Sequence, residues 1–255
     1  MTITAGRARR AGGVLLRLSI LLGLYLMYAL ARNLHGQDVD VAAYETAVRH
    51  AQQVASWGSR LPSEHTFQQP WLDHPWSVRT AGAYYGSAHV LVTVAALGWL
   101  AVRRPRFLDR QGAVLVLVTL VGVLVFVLYP VAPPRLMPPE TGLMTADTLA
   151  AYGGLVTYDH GVLESIADPF AALPSLHLAW AVWVAFTLRL SGYLWVRRFG
   201  VLHVVLTLTV VLVTGNHWYA DAVLGIVLAL VAQALVGPRA TQPEERRAPD
   251  VACVT

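Results

Sequence analysis

The sequence predicts an all-α, polytopic membrane protein of about six transmembrane helices in a bundle, with an interfacial helix and an active site at one membrane face. Three observations carry that prediction. Hydrophobic residues make up 56% of the 255 and charged residues only 13%, with a mean hydropathy of +0.52, whereas an average soluble domain is about 25% charged. Apolar runs near the length that crosses hydrocarbon, about 20 residues, recur at 14–31, 81–101, 112–130, 176–190, 199–215 and 218–236. The 19 basic residues are all arginine, and most of them lie at the N-terminus, in the tail and in two short connections between those runs.

Taken in order, residues 1–13 form a basic N-terminus, and the run 14–31 opens a membrane-embedded domain that extends to 236. Arg17 near its start is tolerable because a long basic side chain snorkels to the headgroups. A cleavable signal peptide is the rival reading. It is disfavoured because Tyr28-Ala29-Leu30-Ala31-Arg32 is a poor small-residue cleavage site and the run exceeds a typical signal core. Residues 38–59 place Val41, Tyr44, Val48, Val54 and Trp57 among Asp38, Asp40, Glu45 and Arg49, a partly amphipathic pattern that suits a helix lying in the interface. Such a segment either packs over the bundle or gates substrate, since long ordered loops tend to be functional. Trp71 and Trp76, with Pro70 and Pro75, mark a turn at headgroup level. Residues 131–172, rich in Pro and Gly, read as an irregular loop with one short helix. The polar tail 237–255 reads as disordered. No internal repeat is visible, and Cys253, alone in that tail, supports neither a disulfide framework nor a zinc site.

Arginines also give the orientation. Arg7, Arg9, Arg10 and Arg17 precede or open the first run, and Arg103, Arg104, Arg106 and Arg110 fill the connection after the second. Arg189, Arg197 and Arg198 flank the connection between the fourth and fifth, and Arg239, Arg246 and Arg247 lie in the tail. The positive-inside rule makes these four segments cytoplasmic. Residues 32–80, 131–175 and the turn at Asn216 then share the opposite side. Arginine without lysine points to a GC-rich coding bias, and hence to a bacterial plasma membrane with the site on its extracytoplasmic face.

All the residues with evident chemistry fall on that side. His217 and Asp221 stand four residues apart, a spacing that puts both on one helix face with Cβ atoms about 5–6 Å apart, where the carboxylate can hold the imidazole and set its tautomer. An acidic residue inside a span costs roughly 2.5–3.5 kcal/mol on insertion scales and needs a partner; His217 is that partner. His177 follows Pro174-Ser175, which reads as a helix start where free N–H groups and the dipole attract an anion. The plainer reading is that Ser175 only caps the helix and His177 only packs. Arg135, after Pro133-Pro134, carries a fork of donors matched to phosphate, with an ordinary snorkelling arginine as the rival. His35, His50, His65, His74 and His160 carry no such context.

Together the motifs Tyr129-Pro130-Val131-Ala132-Pro133-Pro134-Arg135, Ala171-Ala172-Leu173-Pro174-Ser175-Leu176-His177 and Gly215-Asn216-His217-Trp218-Tyr219-Ala220-Asp221 resemble the phosphatidic acid phosphatase type 2 superfamily, and within it the inositol phosphorylceramide synthase-like branch of inositolphosphotransferases. The resemblance covers roughly residues 38–236. It implies catalytic His177, His217 and Asp221 and phosphate-binding Arg135 and Ser175. Tyr85 and His89, at a spacing that branch often shows, and Asn216 become candidate substrate contacts. Departures are visible: Leu128 stands where many members have a lysine, Val211 where many have an arginine, and Leu176 where a glycine is common. With fewer cations on hand, His89 or Arg79 is a candidate to complete the phosphate pocket. These losses resemble the synthase-like branch more than the simple phosphatases.

The implied chemistry is attack by neutral His217 on phosphorus, oriented by Asp221, with protonated His177 giving its proton to the departing oxygen. The expected partners are a lipid phosphate or diphosphate and the bilayer, with no nucleic acid, no metal and no cofactor. Zinc held by two histidines and an aspartate is the nearest chemical alternative, disfavoured because Asp221 is better used in orienting His217. A transporter or other non-catalytic membrane protein is the alternative of another class. Against it, the polar residues cluster at one face instead of descending through the bundle.

Overall fold

The computed structural model describes residues 41–152 and 169–236. The expected span at 14–31 and both terminal segments lie outside the described residues. The described chain is helical, with one isolated bridge between Val131 and Ala171. The helices are α1 (Val41–Trp57), α2 (Glu64–Leu72), α3 (Pro75–Arg103), α4 (Leu108–Leu128), α5 (Thr148–Tyr152), α6 (Leu176–Leu188), α7 (Leu194–Val213) and α8 (Tyr219–Val236).

Local sequence sets most of their ends. Ser63 caps α2 by accepting the Thr66 N–H, and Pro75 starts α3 in the first-turn position where its missing N–H costs nothing. That start makes α3 29 residues long, beginning six residues before the apolar run. α4 ends at Leu128, one residue before Tyr129-Pro130, where a proline disfavours helix in the residue ahead of it. α7 ends in a Schellman turn. Gly215, at φ 66°, occupies the left-handed position, and the N–H groups of Gly215 and Asn216 close back on the carbonyls of Leu212 and Val211.

Four described helical segments are long and apolar enough to cross a membrane: Pro75–Arg103, Pro105–Leu128, Leu194–Val213 and Tyr219–Val236. Of the five expected runs that fall within the described residues, 81–101, 112–130, 199–215 and 218–236 form these four segments. The run at 176–190 forms only the 13 residues of α6, cut by the Ser175 cap at one end and by Ser191-Gly192 at the other. At about 1.5 Å per residue it spans ~20 Å, short of a hydrocarbon core of about 30 Å.

Despite its length α6 is the hub, packing against α3, α4, α7 and α8. Small residues bring the backbones close, as expected where lipid supplies no hydrophobic drive between helices. A side chain at Gly200 of α7 would strike the backbone of Ala185, and one at Gly122 of α4 would strike Leu176. Polar atoms in the core find partners across helices. Trp183 Nε1–H donates to the Gln111 carbonyl at 2.8 Å, and Trp180 Nε1–H to Thr119 Oγ1 at 3.1 Å.

The bundle has two chemically distinct ends. The arginine-rich connections 103–110 and 189–198 meet at one, where Arg104 Nε donates to the Leu190 carbonyl at 3.0 Å. The loops after α4, before α6 and after α7 meet at the other. There α1 lies across them with Ala47, Val48, Ala51 and Val54 buried against Val131, Ala132, Leu173 and Trp218. Tyr44 and His50 fasten it, the first donating to the Leu136 carbonyl and the second stacking on Tyr129 at 3.8 Å. The expected short helix in 131–172 is α5, joined by two single 3-10 turns at Pro134–Leu136 and Pro139–Thr141.

Candidate active site

His217 lies two residues before α8 begins, so the pair is not carried on one regular helix as its spacing implied. Contact is made all the same, because Asp221 in the first turn points back along the chain. His217 Nδ1 is 3.1 Å from Asp221 Oδ2 and 3.0 Å from the Ala172 carbonyl oxygen. A carbonyl can only accept, so Nδ1 carries a hydrogen, and in the neutral ring the lone pair is then on Nε2. Both residues are buried, Asp221 completely.

Ser175 joins this pair to the next histidine. Its backbone N–H donates to the Asp221 carbonyl at 3.0 Å, while its Oγ caps α6 by accepting the Leu178 N–H. Gly225 makes the approach possible, since a Cβ there would strike the Ser175 carbonyl. At the second position of α6, the His177 ring lies 5.5 Å from that of His217, centroid to centroid. Tyr85 stacks on His177 at 4.3 Å and His89 tilts against it at 4.2 Å, with His89 Nδ1 bonded to the Tyr85 carbonyl at 3.1 Å. Thus α3 supplies an aromatic wall behind the second histidine.

Arg135 sits in the 3-10 turn Pro134–Leu136, and its backbone N–H donates to the Gly215 carbonyl at 3.1 Å. Its side chain is held on two sides, by Nε to Asn216 Oδ1 at 2.8 Å and Nη1 to Asp147 Oδ2 at 2.9 Å. Asn216 also donates from Nδ2 to the Thr214 carbonyl. Its side chain therefore serves Arg135 and the α7 turn.

The fold accordingly brings all eight expected residues into two linked groups: His177, His217, Asp221 and Ser175 with Tyr85 and His89 behind, and Arg135 with Asn216 beside His217 in sequence. Three further residues shape the same end and were not singled out from the sequence. Asp147 holds Arg135. Gln68, fully buried, bonds both the N–H and the carbonyl of Ala146 and also the Val213 carbonyl. Glu64 Oε1 accepts the Tyr219 N–H at 3.0 Å, capping α8. Burial lifts its carboxyl above the ordinary range, against the pull of that N–H. Arg79, named as a candidate extra cation, has no described contact with the site. Among the described residues no three or more His, Cys, Asp or Glu converge as a donor set for a metal.

A family model described as the PAP2 superfamily matches residues 57–235, which include all of these side chains. The chain belongs to the PAP2 superfamily. No curated protein and no solved structure gives a match. PAP2 membership supports a phosphatase-type enzyme acting on lipid phosphate, and the four long apolar helices support an integral membrane protein. In this PAP2 protein the match leaves most of α1 outside it, so the helix that covers the site end is largely an addition to the matched region.

Proposed function

We propose that this protein hydrolyses or transfers the phosphoryl group or phospho-headgroup of a membrane lipid phosphate through a covalent intermediate on His217, without a metal. One observation carries the reading: the two acceptors on His217 Nδ1 leave Nε2 as a bare nucleophile with a second histidine ring 5.5 Å away. Nε2 attacks phosphorus, the N–P bond forms as the bond to the leaving oxygen breaks, and His177 gives that oxygen its proton. Asp221 stabilises the cation that develops on His217. Arg135, with the N–H groups at the start of α6, takes the equatorial oxygens. An acceptor hydroxyl then passes its proton to His177 and displaces the histidine, restoring both rings.

Leu128, Val211 and Leu176, where other members carry lysine, arginine and glycine, favour the synthase-like branch and hence an alcohol as acceptor. The catalytic unit is the stretch 14–236, set in a bacterial plasma membrane with the site away from the cytoplasm. The test is a panel of lipid phosphates and phosphodiesters offered to purified protein in detergent, with and without an alcohol acceptor, beside His217→Ala. Acid-labile phosphate on the wild type, absent from the variant, supports the reading. Equal turnover in both proteins removes His217 from the chemistry, and activity lost to a chelator and restored by zinc replaces the histidine route with a metal one.

A further inference from the structure

Arg135 is the one arginine in the three motifs, and Leu128 and Val211 stand where the resemblance leads one to expect a lysine and a second arginine. A single guanidinium must be aimed well to do what several cations do elsewhere. We infer that Asp147 is the positioning residue that aims Arg135, and that Gln68 holds the loop that carries Asp147. This rests on the reading of Arg135 as the phosphate grip.

A guanidinium has five N–H donors in a rigid planar fork, so fixing two of its nitrogens fixes the direction of all. Asn216 takes Nε and Asp147 takes Nη1, from two different loops, and the plane has no remaining freedom about Cδ–Nε. Among the described residues nothing bonds Nη2 or the second Nη1 hydrogen, which suit a phosphoryl oxygen pair. The Asp147 carboxylate is itself anchored: its Oδ1 accepts the Ala150 N–H at 3.1 Å while Oδ2 faces Arg135. One residue upstream, Gln68 grips Ala146 through both backbone groups, by Nε2 to its carbonyl at 2.9 Å and Oε1 from its N–H at 2.8 Å, and reaches the Val213 carbonyl at 2.9 Å. Gln68 is completely buried and its amide satisfied at both ends. The Thr145 N–H closes on the Pro134 carbonyl at 3.2 Å. The loop that aims the cation is thus tied to the turn that bears it.

The experiment compares Asp147→Ala, Asp147→Ser and Asp147→Glu in the full chain, reading kcat/KM and the inhibition constant of orthovanadate, which reports the phosphate grip independently of how much protein is active. Serine keeps a helix-capping oxygen for Ala150 but cannot hold the guanidinium. Both Ala and Ser variants are expected to lose about 10²-fold in kcat/KM, the scale of a misplaced reacting group, and to weaken orthovanadate about tenfold, the scale of one charge-assisted bond. Glu, with two acceptor oxygens on a longer stem, recovers part of both. In an Arg135→Ala background the Asp147→Ala change costs nothing further, since the residues act as one unit. Wild-type constants in Asp147→Ser would reduce Asp147 to a helix cap and overturn the inference, as would losses that add to those of Arg135→Ala. An Arg135→Ala protein as active as wild type would overturn the phosphate-grip reading as well, which separates the two failures.

Discussion

At the scale of single residues the tautomer of His217 has measurable consequences. The Ala172 carbonyl holds the hydrogen on Nδ1 even without Asp221, so Asp221→Asn removes charge stabilisation and leaves the nucleophile in place. We expect about a 10²- to 10³-fold loss in kcat, against complete loss for His217→Ala, in a phosphate-release assay normalised to folded protein. In the proposed mechanism His177 has the opposite duty. Its replacement by alanine is expected to cost about 10²- to 10⁴-fold with an alkyl leaving group and far less with p-nitrophenolate, which departs without a proton. A loss of the same size with both leaving groups would remove His177 from acid catalysis. Because the proposed mechanism needs one histidine neutral and the other protonated, kcat/KM should fall on both sides of an optimum, and a rate rising steadily from pH 4 to 10 argues against the pair. His177, His217, Asp221 and Arg135 were legible because their residue types are costly in a membrane and stand at the mouths of apolar runs. Asp147 and Gln68 were not. Their partners are a guanidinium 12 residues away and backbone groups 78 and 145 residues away, and no local pattern encodes such distances.

At the scale of elements, helix starts do the positioning. Glu64 on α2 caps α8, and burial sets its folded pKa above its unfolded one. A raised pKa means that the stability it contributes is full below the unfolded value and is lost as pH rises through the folded value. Glu64→Gln keeps an acceptor for the Tyr219 N–H without a charge to desolvate, so it should match wild type in acid and melt higher at neutral pH. Identical melting curves for the two proteins at both pH values would count against a buried carboxylate there. Gly225 is the tighter constraint. Its α8 backbone lies against the Ser175 carbonyl, and Gly225→Ala should destabilise by about 1–3 kcal/mol, as overpacking does, and lower activity by parting the two histidines. The apolar runs foretold α3, α4, α7 and α8, whereas the length of α6 was misjudged. Hydropathy registers Leu190 and its neighbours as more of the same run, but the Ser175 cap and Ser191-Gly192 end the helix.

For the whole molecule, the clustering of arginine in the connections 103–110 and 189–198, at the end away from the site, makes a topological prediction. In a Cys253→Ser background, a cysteine at Arg106 should react with an impermeant maleimide only after the membrane is opened, and one at the exposed Met144 should react in sealed, right-side-out vesicles. The reverse pattern would turn the site toward the cytoplasm.

The main-chain bond from the Ser175 N–H to the Asp221 carbonyl bears on how such a chain can diversify. The spacing between the two histidines is written in backbone and in one absent side chain at Gly225, not in any group that faces lipid. Substitutions along the outer surfaces of α3, α4, α7 and α8 can accumulate, and the accepted lipid can drift with them, without retuning the reacting atoms. Heritable variation is thereby channelled into what the enzyme admits and away from how it reacts.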